Sequence, residues 1–159
     1  MMLNTILLVI IAVLVVLTIR GHLKNRQVAA LNKQREAEFF AQNHDKEGVE
    51  KLESGVHMLW HTRNEDAEQP TATSKVRVHY RGTLLDGREF DSSYKRDKPI
   101  DFRLNQVIAG WQQGLQQMHV GDKATLYIPA RLAYGDRRVG IIEPASPLIF
   151  EVELLSIER

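Results

Sequence analysis

The chain has 159 residues, enough for one ordinary globular domain with an appendage but too few for two full domains. Lys and Arg number 21 against 20 Asp and Glu, so the formal net charge is +1 and nothing in the charge balance points to nucleic acid or to an acidic substrate. The absence of cysteine excludes disulfide frameworks, thiolate nucleophiles and cysteine-based zinc sites.

The first predicted element is an apolar segment at the N-terminus. Residues 1–19 carry no charged side chain, and a helix over them reaches roughly 28 Å, close to the bilayer hydrocarbon thickness of about 30 Å. A cleaved signal peptide is the rival interpretation, but no Lys or Arg precedes the apolar run and no small-residue cleavage site follows before Arg20. A helix of a globular core would not be apolar on every face. We therefore expect residues 1–20 to form an uncleaved transmembrane helix.

Basic residues after the apolar segment indicate its orientation. They are Arg20, Lys24, Arg26, Lys33 and Arg35. Because cytoplasmic flanks of membrane spans carry an excess of Lys and Arg, the charge rule favours a domain that faces the cytoplasm. The opposite orientation stays open as the alternative.

Residues 21–48 form a polar segment rich in helix formers. It contains neither Gly nor Pro between Gly21 and Gly48, so we expect a helical stalk or linker. Its sparse apolar positions are Leu23, Ala30, Leu31, Ala37, Phe40 and Ala41. Their spacing is too irregular for a coiled coil of several heptads. A solvated single stalk is the first interpretation, and a weak dimer through the stalk is the alternative.

Residues 49–159 are expected to form one domain, in which most segments have the period of two that is typical of strands. A first strand is predicted at residues 56–60, followed by a polar loop over residues 64–74. Later strands are predicted from alternating residues, with Asp86 and Gly87 in a tight hairpin turn. These strands are Val76–Tyr80, Arg88–Asp91, Ile100–Leu104, Ala124–Ile128 and Leu148–Leu154.

One helix is predicted among the strands. Val107, Trp111, Leu115 and Met118 recur at helical spacing, and glutamines cover the outer side. A single amphipathic helix can cover only one face of a sheet of five or so antiparallel strands. The fold class predicted is therefore α+β, with an antiparallel sheet wrapped around one short helix.

A search for catalytic motifs finds no nucleophile elbow, phosphate-binding glycine loop or zinc-protease signature. The six histidines are scattered; His57 and His61 could share a strand face, but no third ligand is placed near them, so we expect solvated histidines and no metal. Aromatic and polar residues do gather in segments that the sheet and helix would bring together. They are Tyr80, Phe90, Asp91, Trp111, Tyr134 and Phe150, and on their own they are more simply explained as core residues.

The motifs VHYxGxLxDGxxFDSS, VIxGWxxGL, LAYG and FEVELL occur in order between Val76 and Ile157. This half of the chain resembles the FKBP family of peptidyl-prolyl isomerases. The upstream stretch EFFAQNHDKEGVEKLESGVHML is similar, more loosely, to the junction of stalk helix and domain in bacterial members of the macrophage-infectivity-potentiator type. The resemblance implies a bacterial protein, and with the apolar segment it predicts a single-pass protein of the inner membrane.

The resemblance implies a half-open sheet curled around the helix at residues 107–118, with a shallow apolar pocket between them. Trp111 would be the pocket floor and would act with Asp91 and Tyr134 in catalysis. Arg96 would pair with Asp91 and Tyr80. The remaining substrate-binding residues implied are Tyr80, Phe90, Val107, Ile108, Ile141, Ile142 and Phe150.

The activity implied is cis-trans isomerisation of X–Pro peptide bonds in folding proteins. Rotation about the amide moves no proton and breaks no bond, so neither metal nor cofactor is required. The partners implied are proline-containing polypeptides, the membrane through the N-terminal helix, and a macrolide ligand, with no nucleic acid. A membrane-tethered chaperone or proline-peptide binding module with little turnover is the alternative.

The sequence departs from the family pattern at several positions. Ile100 stands where an aromatic residue is common, which would remove one edge of the pocket. Glu143-Pro144 replaces a frequent Pro-Pro pair, and the loop at residues 136–139 is short and basic. These departures bear on substrate preference and macrolide affinity rather than on Trp111, Asp91 and Tyr134.

Overall fold

The computed structural model describes residues 2–158; Met1 and Arg159, which the predicted anchor and domain include, lie outside the described residues. A long helix is followed by seven strands and one short helix. The helices are α1 (Met2–His44) and α2 (Ala109–Leu115). The strands are β1 (Val49–Lys51), β2 (His57–Thr62), β3 (Lys75–Thr83), β4 (Glu89–Ser92), β5 (Ile100–Arg103), β6 (Lys123–Ile128) and β7 (Leu148–Glu158). Two 3₁₀ helices lie at Leu104–Gln106 and Ala130–Leu132.

Helix α1 is continuous from the apolar segment into the predicted stalk and passes through Gly21 without a break. Its apolar residues from Ile6 to Ile19 are about half exposed and pack against no other element. Within the described chain, one helix is long and apolar enough to cross a membrane, and its apolar window has no buried part. The helix ends at His44, before a turn that leads into β1.

The seven strands form one antiparallel sheet in the order β1-β2-β6-β7-β3-β4, and β5 also pairs with β3. The longest pairing joins β3 and β7, from Lys75 opposite Glu158 to Thr83 opposite Ile149. The predicted α+β class is confirmed, with more strands than expected. The sequence prediction missed β1 and started β2 one residue early, because a three-residue strand shows no clear alternation.

Helix α2 is shorter than predicted and lies directly against β6. It spans seven residues, while Val107 and Ile108 precede it with non-helical backbone angles and Met118 lies in the turns that follow it. The contact with β6 is close because α2 has glycines on that side. A Cβ at Gly110 would lie 2.3 Å from Ile128, and one at Gly114 would lie 2.1 Å from Leu126.

The C-terminal part of α1 packs on the domain. Phe39 lies 5.6 Å from Tyr127, and Phe40 lies edge-on to His57 at 4.8 Å between ring centroids. His57 is 2% exposed, so the prediction of a solvated histidine is wrong at this position; His61 is exposed as expected and lies 2.7 Å from Oγ1 of Thr125. The stalk covers this face of β2, which its irregular apolar spacing did not reveal.

Candidate active site

Three aromatic rings surround Trp111, which lies on the buried face of α2. The ring centroids of Tyr80, Phe102 and Phe150 lie 5.2, 5.3 and 5.2 Å from that of Trp111, each in an edge-to-face arrangement. The three rings come together because β3 lies between β5 and β7 in the sheet. Edge-to-face packing stabilises such contacts by about 0.5–1.5 kcal/mol each beyond the buried area. The four rings therefore form a rigid aromatic cluster, which is the floor of the cavity described below.

Gly82 in β3 lets the ring of Phe150 and one further ring, that of Phe90, approach the sheet. A Cβ at this position would lie 2.5 Å from Phe90 and 2.8 Å from Phe150. Because glycine has no Cβ, the Phe90 and Phe150 rings pack edge-to-face with their centroids 5.4 Å apart. This glycine therefore shapes one wall of the cavity.

Asp91 places a charged group beside this aromatic cluster, against the Tyr80 hydroxyl. Its Oδ2 accepts the hydrogen bond of the Tyr80 hydroxyl, and its Oδ1 accepts from Nη1 of Arg96 at 2.6 Å and from the amide of Ser92 at 2.9 Å. Nη2 of Arg96 also donates to the Tyr80 hydroxyl at 3.2 Å. Asp91, Tyr80 and Arg96 thus form one closed hydrogen-bonded triangle at the edge of the cavity.

The triangle shifts the ionisation of its members in opposite directions. Burial pushes the pKa of Asp91 upward, but the hydrogen bonds from Arg96 and Tyr80 outweigh it, so the net pKa is lowered. Burial, followed by the hydrogen bond to Asp91, raises the pKa of Tyr80 to about 12. At neutral pH Asp91 is therefore a carboxylate and Tyr80 a neutral donor.

The segment between β6 and β7, residues 129–147, is called the pocket loop here because it forms the opposite wall. Ile142 is buried, Tyr134 is half-buried, and Val139 and Ile141 are 41% and 45% exposed at the rim. The loop is closed by hydrogen bonds from Gly135 to the Ala130 carbonyl at 2.9 Å and from Ala145 to the Gly135 carbonyl at 2.8 Å.

These walls enclose an open cavity of about 770 Å³ above Trp111. Ten of the eleven site residues predicted from the sequence line it, and the eleventh, Arg96, lies behind Asp91. The cavity residues that the prediction missed are Glu89, Phe102, Gln106, Val139 and Gly140. Phe102, on the same strand as Ile100, supplies an aromatic edge of the cavity, and the effect of Ile100 on the pocket stays a prediction. The alternation of β5, with Ile100 and Phe102 on one face, was the signal that could have pointed to Phe102 as a candidate.

The cavity suits a compact apolar group with a polar rim. Trp111, Phe150 and Ile142 are apolar or aromatic. The polar side chains of the lining are those of Tyr80, Glu89, Asp91, Gln106 and Tyr134. Among residues 2–158 no group of three or more His, Asp or Glu side chains is placed to hold a metal ion. The lining of the cavity therefore offers an apolar floor for binding and hydrogen-bonding groups at its rim.

The fold of this chain is shared with known proteins. The sequence model of the FKBP-type peptidyl-prolyl cis-trans isomerases matches residues 66–155, more than half of the chain. The chain therefore belongs to the FKBP-type peptidyl-prolyl cis-trans isomerase family.

Relatives and solved structures agree with this assignment. The FKBP-type isomerase FkpA of Aeromonas hydrophila is 46% identical over 131 residues, which are 82% of this chain and 48% of that protein. The FKBP-type 22 kDa isomerase of Escherichia coli is 48% identical over 120 residues, 75% of this chain and 58% of that protein. The chain thus spans about half the length of these relatives.

The fold extends the likeness beyond the family domain. The crystal structure of FkpA from Escherichia coli has a TM-score of 0.81 at 39% identity and covers 85% of this chain and 63% of that chain. An isomerase structure from Pseudomonas syringae has a TM-score of 0.74 at 39% identity and covers 79% of this chain and 92% of that chain. The part matched in FkpA is longer than residues 66–155, so it includes neighbouring segments of this chain.

Proposed function

We propose that this chain catalyses cis-trans isomerisation of X–Pro peptide bonds in polypeptides. The observation that carries the proposal is the aromatic floor of the cavity, where Trp111 is ringed by Tyr80, Phe102 and Phe150 at 5.2–5.3 Å. A proline ring is compact and apolar and fits such a floor, while the flanking chain leaves through the open side of the cavity.

Catalysis follows from the polarity of the cavity. Rotation about an X–Pro bond must overcome a barrier of about 18–20 kcal/mol because the planar amide is conjugated. The twisted amide has less charge on its oxygen, so an apolar aromatic site disfavours it less than the planar form. Binding the twisted form about 5–6 kcal/mol more tightly accelerates rotation roughly 10⁴-fold.

Polar groups at the rim orient the substrate in this proposal. The Tyr134 hydroxyl donates to the substrate carbonyl that precedes proline. Asp91 stays ionised and fixes the Tyr80 and Arg96 side chains through the triangle described above. The catalytic residues proposed are therefore Trp111, Asp91 and Tyr134.

A protease-free assay of cis-trans exchange in a short X–Pro peptide tests the activity. The full chain in detergent should accelerate exchange, and Tyr134→Phe should lower kcat/KM about tenfold through loss of one hydrogen bond. Tyr94→Phe is the matched control because Tyr94 stacks on His79 at 4.6 Å, outside the cavity. Exchange at the rate of buffer at micromolar protein would reject the proposal.

Binding without turnover is a second candidate, favoured by the exposed apolar rim residues Val139 and Ile141. A binding module or chaperone would capture unfolded segments there whether or not they contain proline. Peptide pairs that differ only by Pro→Ala separate the two functions. Equal affinity for both peptides, with no acceleration of exchange, would favour the binding module.

We also propose that residues 1–20 anchor the protein in a membrane, with residues 21–48 as stalk and residues 49–159 as isomerase domain. The length of α1, its exposed apolar residues and its uncharged window support this. Alkaline extraction of membranes tests it: the chain should stay with the lipid. Val13→Arg places a charge near mid-bilayer at a cost of about 2.5–3.5 kcal/mol, and it should release part of the protein from the membrane fraction.

The positive-inside rule supports a cytoplasmic domain. The cysteine-free sequence permits a clean test, because a single Lys95→Cys substitution introduces the one thiol in the chain, at an exposed side chain. A membrane-impermeant maleimide should label it only after the cells are opened. Labelling in intact spheroplasts would place the domain on the other side.

Two further partners are proposed for the same molecule. The aromatic cavity offers a macrolide the same floor and rim as a proline peptide, and competition between the two would be the expected result.

The exposed Leu23 and Leu31 on α1 support a weak dimer through the stalk. Sedimentation of the full chain, with Leu23→Lys/Leu31→Lys as the variant, tests the dimer.

A further inference from the structure

The family match covers residues 66–155 and leaves helix α1 outside. Yet four polar contacts join α1 to the pocket loop. Nδ2 of Asn32 donates to the Pro144 carbonyl at 2.9 Å, and Oε2 of Glu36 accepts from the Ala130 amide at 2.7 Å. Lys33 pairs with Asp136 at 3.3 Å, and Arg138 donates to Asn25 at 3.3 Å.

The first two contacts differ from the others in burial and in place. Asn32 is 8% exposed and Glu36 is half-buried, whereas Lys33 and Asp136 are more than 60% exposed. Exposed ion pairs contribute little, while a buried polar group that loses its partner is costly. Asn32 and Glu36 are four residues apart and so lie on one face of the helix.

These two residues hold the two ends of the pocket loop. Ala130 begins the 3₁₀ helix that precedes Tyr134, where the amide lacks a helical acceptor. Pro144 lies two residues after Ile142. Between these points the loop is closed on itself by the Gly135 bonds, so fixing its ends fixes the wall that it presents to the cavity.

We infer that Asn32 and Glu36 are positioning residues of the isomerase site: from helix α1 they hold the pocket loop so that Tyr134 and Ile142 face the bound proline. This inference rests on the proposed isomerase function and makes α1 a part of the site rather than a tether alone. Loosening the loop ends lets the wall move away from Trp111, which weakens both substrate binding and orientation by Tyr134.

The test uses the full chain in detergent with Asn32→Leu and Glu36→Leu. Hydrogen exchange of amides in residues 130–145 should quicken about fivefold, the amount expected for one lost hydrogen bond. Exchange in β3 and β7 should not change, and kcat/KM for an X–Pro peptide should fall about fivefold. Glu36→Gln keeps an oxygen that accepts from Ala130, and it should restore both values.

Gln34→Leu and Glu38→Leu are matched controls, because both residues are exposed on α1 and hydrogen-bond each other. They should leave loop exchange and kcat/KM unchanged. Wild-type exchange and kcat/KM in both test variants would overturn the inference, and so would equal loss of protection in β3 and β7, which indicates general destabilisation. An inactive wild-type chain would reject the proposed function, while selective loop exchange in the variants would still establish the positioning contacts.

Discussion

Arg96 and Asp91 are joined by an ion pair whose Nη1–Oδ1 distance is 2.6 Å, and the Tyr80 hydroxyl closes the triangle between them. This arrangement keeps the carboxylate at the cavity edge ionised and its two partners fixed. It gives Asp91 a defined place at the edge of the cavity.

Asp91→Asn is expected to lower kcat/KM for an X–Pro peptide about tenfold while the fold persists. The amide cannot accept from Arg96 and Tyr80 as strongly as the carboxylate does, so both side chains lose their fixed positions. Asp101→Asn is the matched control, since Asp101 also pairs with an arginine, Arg77 at 2.7 Å, but outside the cavity. Wild-type kcat/KM in Asp91→Asn would contradict the proposed role.

Trp111→Phe should weaken peptide binding and destabilise the fold by about 1–3 kcal/mol through lost floor area. The buried Nε1 of Trp111 has no hydrogen-bond partner among the described residues, so removing that N–H adds no cost. Trp60→Phe is the control, because Trp60 lies outside the cavity and donates to Glu50 at 2.8 Å. With only two tryptophans in the chain, Trp60→Phe also lets fluorescence report on Trp111 alone. Unchanged peptide affinity in Trp111→Phe would remove Trp111 from the floor.

Gly82→Ala should distort the cavity wall. The added Cβ meets the Phe90 and Phe150 rings at 2.5–2.8 Å, and such overpacking costs about 1–3 kcal/mol. We expect a lower unfolding midpoint and weaker peptide binding, measured by thermal unfolding and titration. If Phe90 is also shortened to Leu, the closest contact of the new methyl, 2.5 Å to that ring, is relieved and part of the stability should be recovered. No recovery would mean that the rings are not the source of the strain.

The contact between α1 and β2 should weaken in acid because of His57. Burial, together with the charge of Lys51 and the nearby His44, lowers the pKa of His57, so the folded state favours the neutral ring. A lowered pKa means that this contribution to stability is present above the unfolded pKa of about 6.5 and is lost as the pH falls through the folded value. Nδ1 of His57 lies 3.3 Å from Nδ2 of Asn43. Protonation of His57 would therefore also place an N–H of the ring against the N–H groups of the Asn43 amide.

Thermal unfolding of the full chain against pH checks this expectation. His57→Leu should flatten the loss of stability below pH about 6.5, whereas His22→Gln, at an exposed position on α1, should leave it as in the wild type. An unchanged pH profile in His57→Leu would assign the acid sensitivity to another group.

The fold was predictable where local pattern and tertiary environment agree. The alternating residues of β3, β6 and β7 each place one face in the core, so their strands could be read directly from the sequence. Helix α2 was overextended because Val107 and Met118 keep helical spacing although their backbone lies outside the helix. The apolar spacing does not show the ends of so short a helix, whose glycines Gly110 and Gly114 pack tightly on β6.

The site was predictable only in part, and for different reasons. The family motifs contain Trp111, Tyr80 and Phe150. The strand alternation and helical spacing of the sequence alone could not distinguish the floor of a cavity from a buried core. Phe102 was missed because it shares a strand face with Ile100, and the alternation of β5 does not tell which of the two lines the cavity. The roles of Asn32 and Glu36 depend on how α1 docks on the loop, which no local pattern contains. His57 was misjudged for the same reason.

The docking of α1 has a geometric consequence for a protein anchored as proposed. Arg138 of the pocket loop reaches α1 at Asn25, six residues after Ile19, which is about 9 Å along the helix axis. A tether that swings freely would let the cavity sample a wide volume of solution. A docked helix would instead hold the pocket loop at a set distance from the bilayer.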